Sequence, residues 1–521
     1  MIQANINEYT PLKSGSRWSD IDEIKSSTTR INIVSNDCPG GGFPLISDGR
    51  IAWVDNTDTH TLILGSTGSM KTRRGGMPLI NIMAMAGESM VITDPKGELY
   101  ENTSGLVAKC GHSIFVLNLR DYFKSDFWNP FDIPYSLYHS NHTKRDKAME
   151  MLNDFLSAIA EPHRKGAKDP YFSELSYQLA FANVLLFIET AAKEEANIAN
   201  FANFCISEST PDAIENITNH IEKGSIAHTN YKGILANKNA TNTFGNVVAG
   251  VSAFINSFVI QRNLSKVLSQ SSFDLRDIGK KKTAIYLIVP DEKTTLHFII
   301  TMFIRQLYEV LINEAQQYEN GRLPVRVNFV LDEFANIPAI IDFPAKISAA
   351  RSREIRFFLF VQSMRQLVSK YGEDAHTIKS NCDNWVFLTS REIDLLSEIS
   401  FLCGDTAYMH LDGTAKMKPL ISVSELQRFS KERGEALIIH GRQYPFVTEL
   451  PDISRYKFER QPPLNRNESQ LPKIVHYDAG KVIEEIRNGK RPVPFSYEVH
   501  DEDRTFKLSE IKSSNSTFIW D

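Results

Sequence analysis

The sequence predicts an α/β chain: a mainly parallel, doubly wound sheet into which an all-helical domain is inserted. Three observations predict it. Apolar runs of strand length recur along the chain, continuous rather than alternating, as suits strands covered on both faces. Helical patterns fall between most of them, the order a doubly wound sheet requires. One long stretch, residues 135–272, contains no such run and only helical periodicity.

In chain order, residues 1–44 form an amino-terminal segment closed by the glycine turn "DCPGGGFP". The strand runs are "TLILG" (61–65), "MVITD" (90–94), "SIFVLNL" (113–119), "AIYLIVP" (284–290), "VNFVLDE" (327–333), "FFLFVQS" (357–363), "NWVFLTS" (384–390) and "ALIIHG" (436–441). They assign residues 45–134 and 273–450 to the sheet domain. Within 135–272, "KRDKAMEMLNDFLSAIA", "FSELSYQLAFANVLLFIETAA" and "TFGNVVAGVSAFINSFV" carry apolar residues at three- and four-residue steps. A proline-rich, charged extension, 451–521, holds one short helix near 479–488.

Bulk numbers exclude several classes. At 521 residues the chain exceeds one ordinary domain, and 42% hydrophobic with 23% charged residues is a globular composition. The net charge of −5 carries no chain-wide nucleic-acid signal, so a nucleic acid would need a local basic lining. Cys38, Cys110, Cys205, Cys382 and Cys403 form no C-x-x-C pair, which argues against zinc ribbons and disulfide frameworks and suits a reducing cytosol. The start, "MIQANINEYT", is polar and lacks the basic-then-apolar layout of a signal peptide. No apolar run reaches the roughly 18 residues a membrane span needs. "LAFANVLLFIETAA" and "LHFIITMFIRQLYEVLI" come nearest and read as buried helices. His139 and His142 ("YHSNH") lack acidic or cysteine companions and read as surface residues rather than metal ligands.

The chemistry concentrates in "LILGSTGSMKT". The phosphate-loop pattern is G-x-x-x-x-G-K-[ST]. Gly65 opens it, Ser66, Thr67, Gly68 and Ser69 fill it, and Lys71 and Thr72 close it, but Met70 replaces the second glycine. Small residues let backbone N–H groups converge on phosphate oxygens at a helix start; lysine adds charge and Ser/Thr a Mg²⁺ ligand. Gly75, Gly76 and Pro78 weaken the first turns of the helix that follows. A second element, "VNFVLDEFA", ends an apolar strand in Asp332–Glu333. Asp332 would hold Mg²⁺ through water, and Glu333 would orient or deprotonate the attacking water.

Other features fit the same site or have plainer readings. Gln362 ends a strand, as a γ-phosphate sensor or an ordinary polar terminus. Arg351, Arg353 and Arg356 precede that strand, either as a solvated basic helix end or with one arginine acting across a subunit boundary. Asp94 and Glu98 in "VITDPKGELY" either approach the nucleotide or start a helix with acids in its first turn.

Taken with "FWNPF", "FVLDEFANIPAI", "ISAARSREIRFFLFVQSMRQLVSKYG" and "IKSNCDNWVFL", these segments resemble, in order over residues 12–450, the TraG/TraD coupling proteins of type IV secretion and conjugation. The resemblance implies a RecA-like P-loop NTPase, ATP and Mg²⁺ as cofactors, and a homo-oligomer, hexameric when active. Its implied work is delivery of a relaxase-bound single DNA strand into the secretion channel. By position it assigns Lys71 and Thr72 to phosphate and Mg²⁺, Asp332 and Glu333 to the acidic pair, Gln362 to the sensor, Arg353 to the trans arginine and residues 135–272 to substrate recognition.

There are two departures. Family members generally carry amino-terminal membrane helices, so this chain is expected either to act at the inner membrane face through a separate membrane-anchoring partner or to be a soluble variant. They also have glycine where Met70 stands, and the left-handed geometry there costs other residues about 1–2 kcal/mol, so weaker nucleotide binding and an attenuated ATPase are expected, about tenfold for each ~1.4 kcal/mol. The alternatives are a substrate-receptor scaffold that hydrolyses ATP weakly and an FtsK/HerA-like DNA pump. Residues 166–172 and 237–243 are candidate DNA-facing loops.

Overall fold

A computed structural model describes residues 10–164, 169–290, 292, 294–409 and 414–496. The chain forms two compact units: Met1–Asp132, Ser157–Ile159 and Gln261–Ile474 make the first, and Ile133–Leu156, Ala160–Ile260 and Val475–Asp521 the second.

The first unit is built on a nine-stranded sheet. Its strands are β1 (Thr61–Gly65), β2 (Ser89–Thr93), β3 (Ser113–Asn118), β4 (Thr283–Ile288), β5 (Val327–Leu331), β6 (Ile355–Val361), β7 (Asn384–Thr389), β8 (Glu435–His440) and β9 (Phe446–Glu449), in the spatial order β9-β8-β7-β1-β6-β5-β2-β4-β3. The seven from β7 to β3 run parallel, and β8 and β9 are antiparallel additions. Every residue of β1, β2, β4, β5, β6 and β7 is buried, which is why these strands read as unbroken apolar runs. Strand β9 escaped the reading because it is a four-residue edge strand with a half-exposed face.

One face is covered by helix α1 (Met77–Ala86) and helix α2 (Glu98–Lys109). Met77, Ile80 and Met83 of α1 and Leu99 and Val107 of α2 share a core with Ile63, Ile92, Val330, Phe358 and Val386 of the strands. The weak first turns expected for the helix after β1 take a specific form: Thr72–Gly76 are wound as a π-helix, with the Met77 amide reaching Thr72 O, before α1 proper begins. Such wide turns occur mostly at functional positions. Gly75 is required for room there, since a Cβ would lie 2.9 Å from the Phe43 ring.

The "PGGGF" stretch is more than a turn. A Cβ on Gly40 would meet the Asn56 side chain at 2.0 Å, one on Gly41 the Glu88 carboxylate at 2.9 Å, and one on Gly42 the Asp55 carbonyl at 2.1 Å. The three glycines let backbone lie directly against a buried polar cluster under the amino ends of β2, β5 and β6. Two three-stranded sheets flank the unit, one from Thr29–Asn32, Pro44–Ser47 and Ile51–Val54, the other from Thr10–Gly15, Asp405–Met409 and Ala415–Pro419. Their strands are too short for sequence periodicity to separate from loops.

The described part of the second unit is helical: α3 (His142–Arg164), α4 (Pro170–Thr190), α5 (Ile198–Ser207), α6 (Pro211–Asn219), α7 (Ile226–Leu235) and α8 (Thr241–Ile260). Among the described residues α8 alone has the length and apolarity of a membrane span, where the sequence reading found no apolar run of that length. Its pattern is that of a core helix. Phe244, Val247, Val251, Phe254, Ile255 and Phe258 are buried against neighbours, while Asn242, Asn246, Ser252 and Asn256 face out. Gly250 brings it close to α4, where a Cβ would lie 2.2 Å from Ser176 Oγ, and that hydroxyl donates to Val247 O at 2.9 Å.

The extension is not a separate body. Residues 459–469 run as an extended strap over α2 and β3: the Leu464 amide donates to Ser104 Oγ (3.1 Å), Tyr100 Oη donates to Leu464 O (2.6 Å), and Arg466 pairs with Asp126 at 2.5 Å. Further on, Tyr477 packs edge-on to Phe187 and bonds Thr190 within the helical unit. The short helix lies at Ala479–Arg487. Residues 497–521 lie outside the described residues.

Candidate nucleotide site

Because β1, β5, β6 and β7 are parallel, their carboxyl ends open on one edge of the sheet, where such folds hold ligands. Register brings the sequence candidates together there: Leu64 pairs with Val361 and Gly65 with Thr389, so the loop after β1 lies between Gln362 and the end of β7. The Ser66 amide donates to Thr389 O and the Ser69 amide to Ser66 O, both at 3.0 Å, which folds the loop back over β1. Gly65 is needed for space, since a Cβ would meet Ser69 Oγ at 2.5 Å. Gly68 (φ +73°) and Met70 (φ +62°) take left-handed backbone. The Met70 side chain points outward and is 43% exposed.

Four side chains connect the loop to the acidic pair. Lys71, only 6% exposed, places Nζ 3.2 Å from Glu333 Oε1. Thr72 Oγ1 donates to Asp332 Oδ2 at 3.3 Å. Gln362 Nε2 donates to Glu333 Oε2, and Thr67 Oγ1 donates to Gln362 Oε1 at 3.0 Å. The result is a closed circuit, Thr67–Gln362–Glu333–Lys71, with Thr72–Asp332 beside it. Glu333 also takes left-handed backbone (φ +54°) and accepts from Asn336 Nδ2 at 3.0 Å. Strain of this kind is characteristic of functional positions. Burial, then the adjacent Glu333 charge, pushes the Asp332 carboxyl up to about 7, with Lys71 opposing.

These groups fit a nucleotide with Mg²⁺. A buried lysine against a carboxylate is ready to exchange that partner for phosphate oxygens. Thr72 and Asp332 supply a hard oxygen pair for Mg²⁺. The Ser69 hydroxyl is buried in the loop with no hydrogen-bond partner, an unused donor among the amides that would line a phosphate. Since Mg²⁺ takes the ionised carboxylate, its affinity should rise about tenfold from pH 6 to pH 8 and level off above, with protons released on binding. Calorimetry of Mg²⁺ uptake in buffers of different ionisation enthalpy reads both.

The three arginines separate. Arg356 is a buried structural residue, 1% exposed, paired with Glu88 at 2.6 Å. Arg351 pairs with Asp383 at 2.8 Å. Arg353 sits before the amino end of β6, roughly 25 Å along the strand from Gln362. Its Nη1 donates to Ala349 O at 2.6 Å and to Ser352 Oγ at 3.0 Å, so it does not reach the site of its own chain.

Sequence reasoning missed Asn336 and the clamp on the loop helix. Arg73 forms a bidentate pair with Asp452 (2.7 and 2.8 Å), whose carboxyl it holds well below the usual range. Arg74 donates to the carbonyls of Leu450 and Glu432. The adjacent arginines after Thr72 were the available signal, but their partners lie more than 350 residues away. His139 lies on the surface with Nε2 2.9 Å from Ile188 O, and no group of three metal-ligating side chains occurs among the described residues. Of the two loop candidates, 166–168 lie outside the described residues, Asp169 caps α4, and 237–240 are a mostly exposed turn before α8.

The chain resembles known proteins throughout this architecture. It is 22% identical to protein VirD4 of Rhizobium radiobacter over 411 residues, 74% of this chain and 55% of that protein. It is 22% identical to conjugal transfer protein TraG of Escherichia coli over 435 residues, 77% of this chain and 65% of that one. The chain thus spans between half and two thirds of the length of these relatives. Among solved structures, plasmid coupling protein TrwB in complex with a non-hydrolysable ATP analogue superposes with a TM-score of 0.59 at 14% identity, over 89% of this chain and 98% of that one. TrwB in complex with ADP and Mg²⁺ gives 0.57, also at 14% identity, over 88% and 96%. The family described as type IV secretory system conjugative DNA transfer matches residues 17–432, and the chain belongs to it.

Proposed function

We propose that the chain is the coupling ATPase of a conjugative type IV secretion system. On this reading it links a relaxase–single-stranded DNA complex to the secretion channel and uses ATP to drive transfer. The observation that carries the reading is the circuit joining Lys71, Glu333, Gln362 and Thr67 beside Thr72–Asp332, at the edge where a RecA-like motor works. Lys71 would bind the β- and γ-phosphates, Thr72 and Asp332 would hold Mg²⁺, Glu333 would direct the attacking water, and Gln362 would sense the γ-phosphate. The sheet unit is the motor and the helical unit the substrate-recognition domain. The active form is a hexamer at the inner membrane face, with Arg353 offered to a neighbouring subunit. Family membership and the TrwB complexes with nucleotide support this reading.

Turnover measured with and without single-stranded DNA, for wild type and Lys71→Ala, tests it. DNA-stimulated turnover lost in the variant is expected; equal background rates in both would overturn the motor. The weakly hydrolysing scaffold is favoured only by Met70. Met70 holds φ +62° and its side chain is 43% exposed, so on this reading its cost falls on the fold rather than on binding. Met70→Gly relieves about 1–2 kcal/mol of backbone strain and loses about 0.5–1 kcal/mol to unfolded-state entropy. The expected outcome is a small gain in unfolding free energy with ATP turnover changed by less than about threefold. A tenfold or larger gain in turnover would favour the scaffold.

A further inference from the structure

The acidic pair has a buried neighbour with an unspent oxygen. Asp94 follows β2, and β2 lies against β5 in register, with Thr93 opposite Leu331. Asp94 and Asp332 are therefore the next residues outward on adjacent strands, whose spacing is about 4.8 Å. Thr93 Oγ1 fixes the alignment by donating to Asp332 O at 2.9 Å. Asp94 is 1% exposed. Its Oδ2 accepts the Tyr100 amide at 2.7 Å, while Oδ1 is buried with no hydrogen-bond partner.

A buried carboxylate oxygen without a donor is costly, roughly 1–3 kcal/mol, and a fold keeps one where a ligand supplies the donor. A helix-start residue needs only the oxygen that takes the Tyr100 amide. The second oxygen calls for a proton donor arriving with the ligand. Magnesium is bound by few protein ligands and keeps several waters, whose hydrogens seek carboxylates just outside the coordination sphere.

We infer that Asp94 is a positioning residue of the cation site, its Oδ1 accepting a hydrogen bond from a water of the Mg²⁺ held by Thr72 and Asp332. The inference rests on the nucleotide reading above. It makes the site a three-carboxylate one, with Asp332 nearest the ion, Asp94 ordering the ion's water and Glu333 serving the reaction.

The test is Asp94→Asn, which keeps an oxygen for the Tyr100 amide. Mn²⁺ is the probe, titrated into ADP-saturated protein and followed by electron paramagnetic resonance. Metal-free ADP affinity is measured on the same samples. Mn²⁺ affinity should fall about tenfold while metal-free ADP affinity stays within about twofold, because outer-shell partners act on the ion and not on the nucleotide. A merely structural Asp94 would move both or neither. Asp94→Ser, smaller and also able to accept that amide, is the second variant if the amide form fails to fold. Unchanged Mn²⁺ affinity in a folded variant overturns the inference alone. Wild-type protein that takes up no Mn²⁺ with ADP overturns the nucleotide reading and this inference together.

Discussion

Arg356→Ala is expected to lower unfolding free energy by about 3–5 kcal/mol, the range for removing one partner of a buried ion pair. The guanidinium is spent entirely inside the fold. Nη2 meets Glu88 at 2.6 Å, Nε donates to Asn328 Oδ1 at 2.8 Å, and Nη1 serves the carbonyls of Gly41 and Thr57, both at 3.1 Å. Glu88 in turn accepts the Gly41 amide at 3.0 Å and Asn328 Nδ2 at 2.9 Å. Truncation leaves Glu88 buried with only Arg326, 3.6 Å away, to offset its charge. It also leaves carbonyls of the glycine stretch and the loop before β1 without donors. Arg356→Lys should recover less than half of the loss, because one ammonium cannot reach acceptors arranged around a planar fork. Arg353→Ala, whose partners are two local oxygens, should change stability by less than about 0.5 kcal/mol. Denaturant midpoints at constant slope measure all three. A loss below about 1 kcal/mol for Arg356→Ala would sink the structural assignment and return this arginine to the list of trans candidates.

That contrast marks where the sequence was legible. Eight strand runs became eight sheet strands, and in six of them burial on both faces writes itself into local composition. The loop and the acidic pair were found because each follows such a strand, and parallel strands bring their carboxyl ends together. What the sequence could not convey was pairing across the chain. Arg351, Arg353 and Arg356 look alike in "SAARSREIR", yet one is buried and two are not, since only the second residue of β6 points under the sheet. The glycines at 40–42 read as a turn because the groups they make room for lie up to 47 residues away. Asp94 looked like a helix-start acid, and half of it is one. The start of the tail gave no periodic signal, and its Asp452 nonetheless clamps the first turn after the phosphate loop.

Glu333→Gln is expected to separate binding from turnover. Glu333 pairs with Lys71 and accepts from Gln362 and Asn336, on a left-handed backbone that its neighbours hold in place. Glutamine preserves the shape and one carbonyl acceptor but removes the charge. Lys71 is then released for phosphate, so ATP affinity should hold or tighten. Turnover should fall by about 10²–10⁴-fold, the span for losing a group that takes a proton in the transition state. A second readout comes from Asp332, which the Glu333 charge helps keep protonated near neutrality. With that charge gone the Asp332 carboxyl ionises at lower pH, so the midpoint of Mg²⁺ uptake should move to lower pH. Loss of turnover with tight ATP binding and an acid-shifted midpoint would place Glu333 at the water rather than at the metal. Turnover within about threefold of wild type would show that the proton goes elsewhere, and the circuit joining Thr67, Gln362, Glu333 and Lys71 would then be a structural latch on the loop.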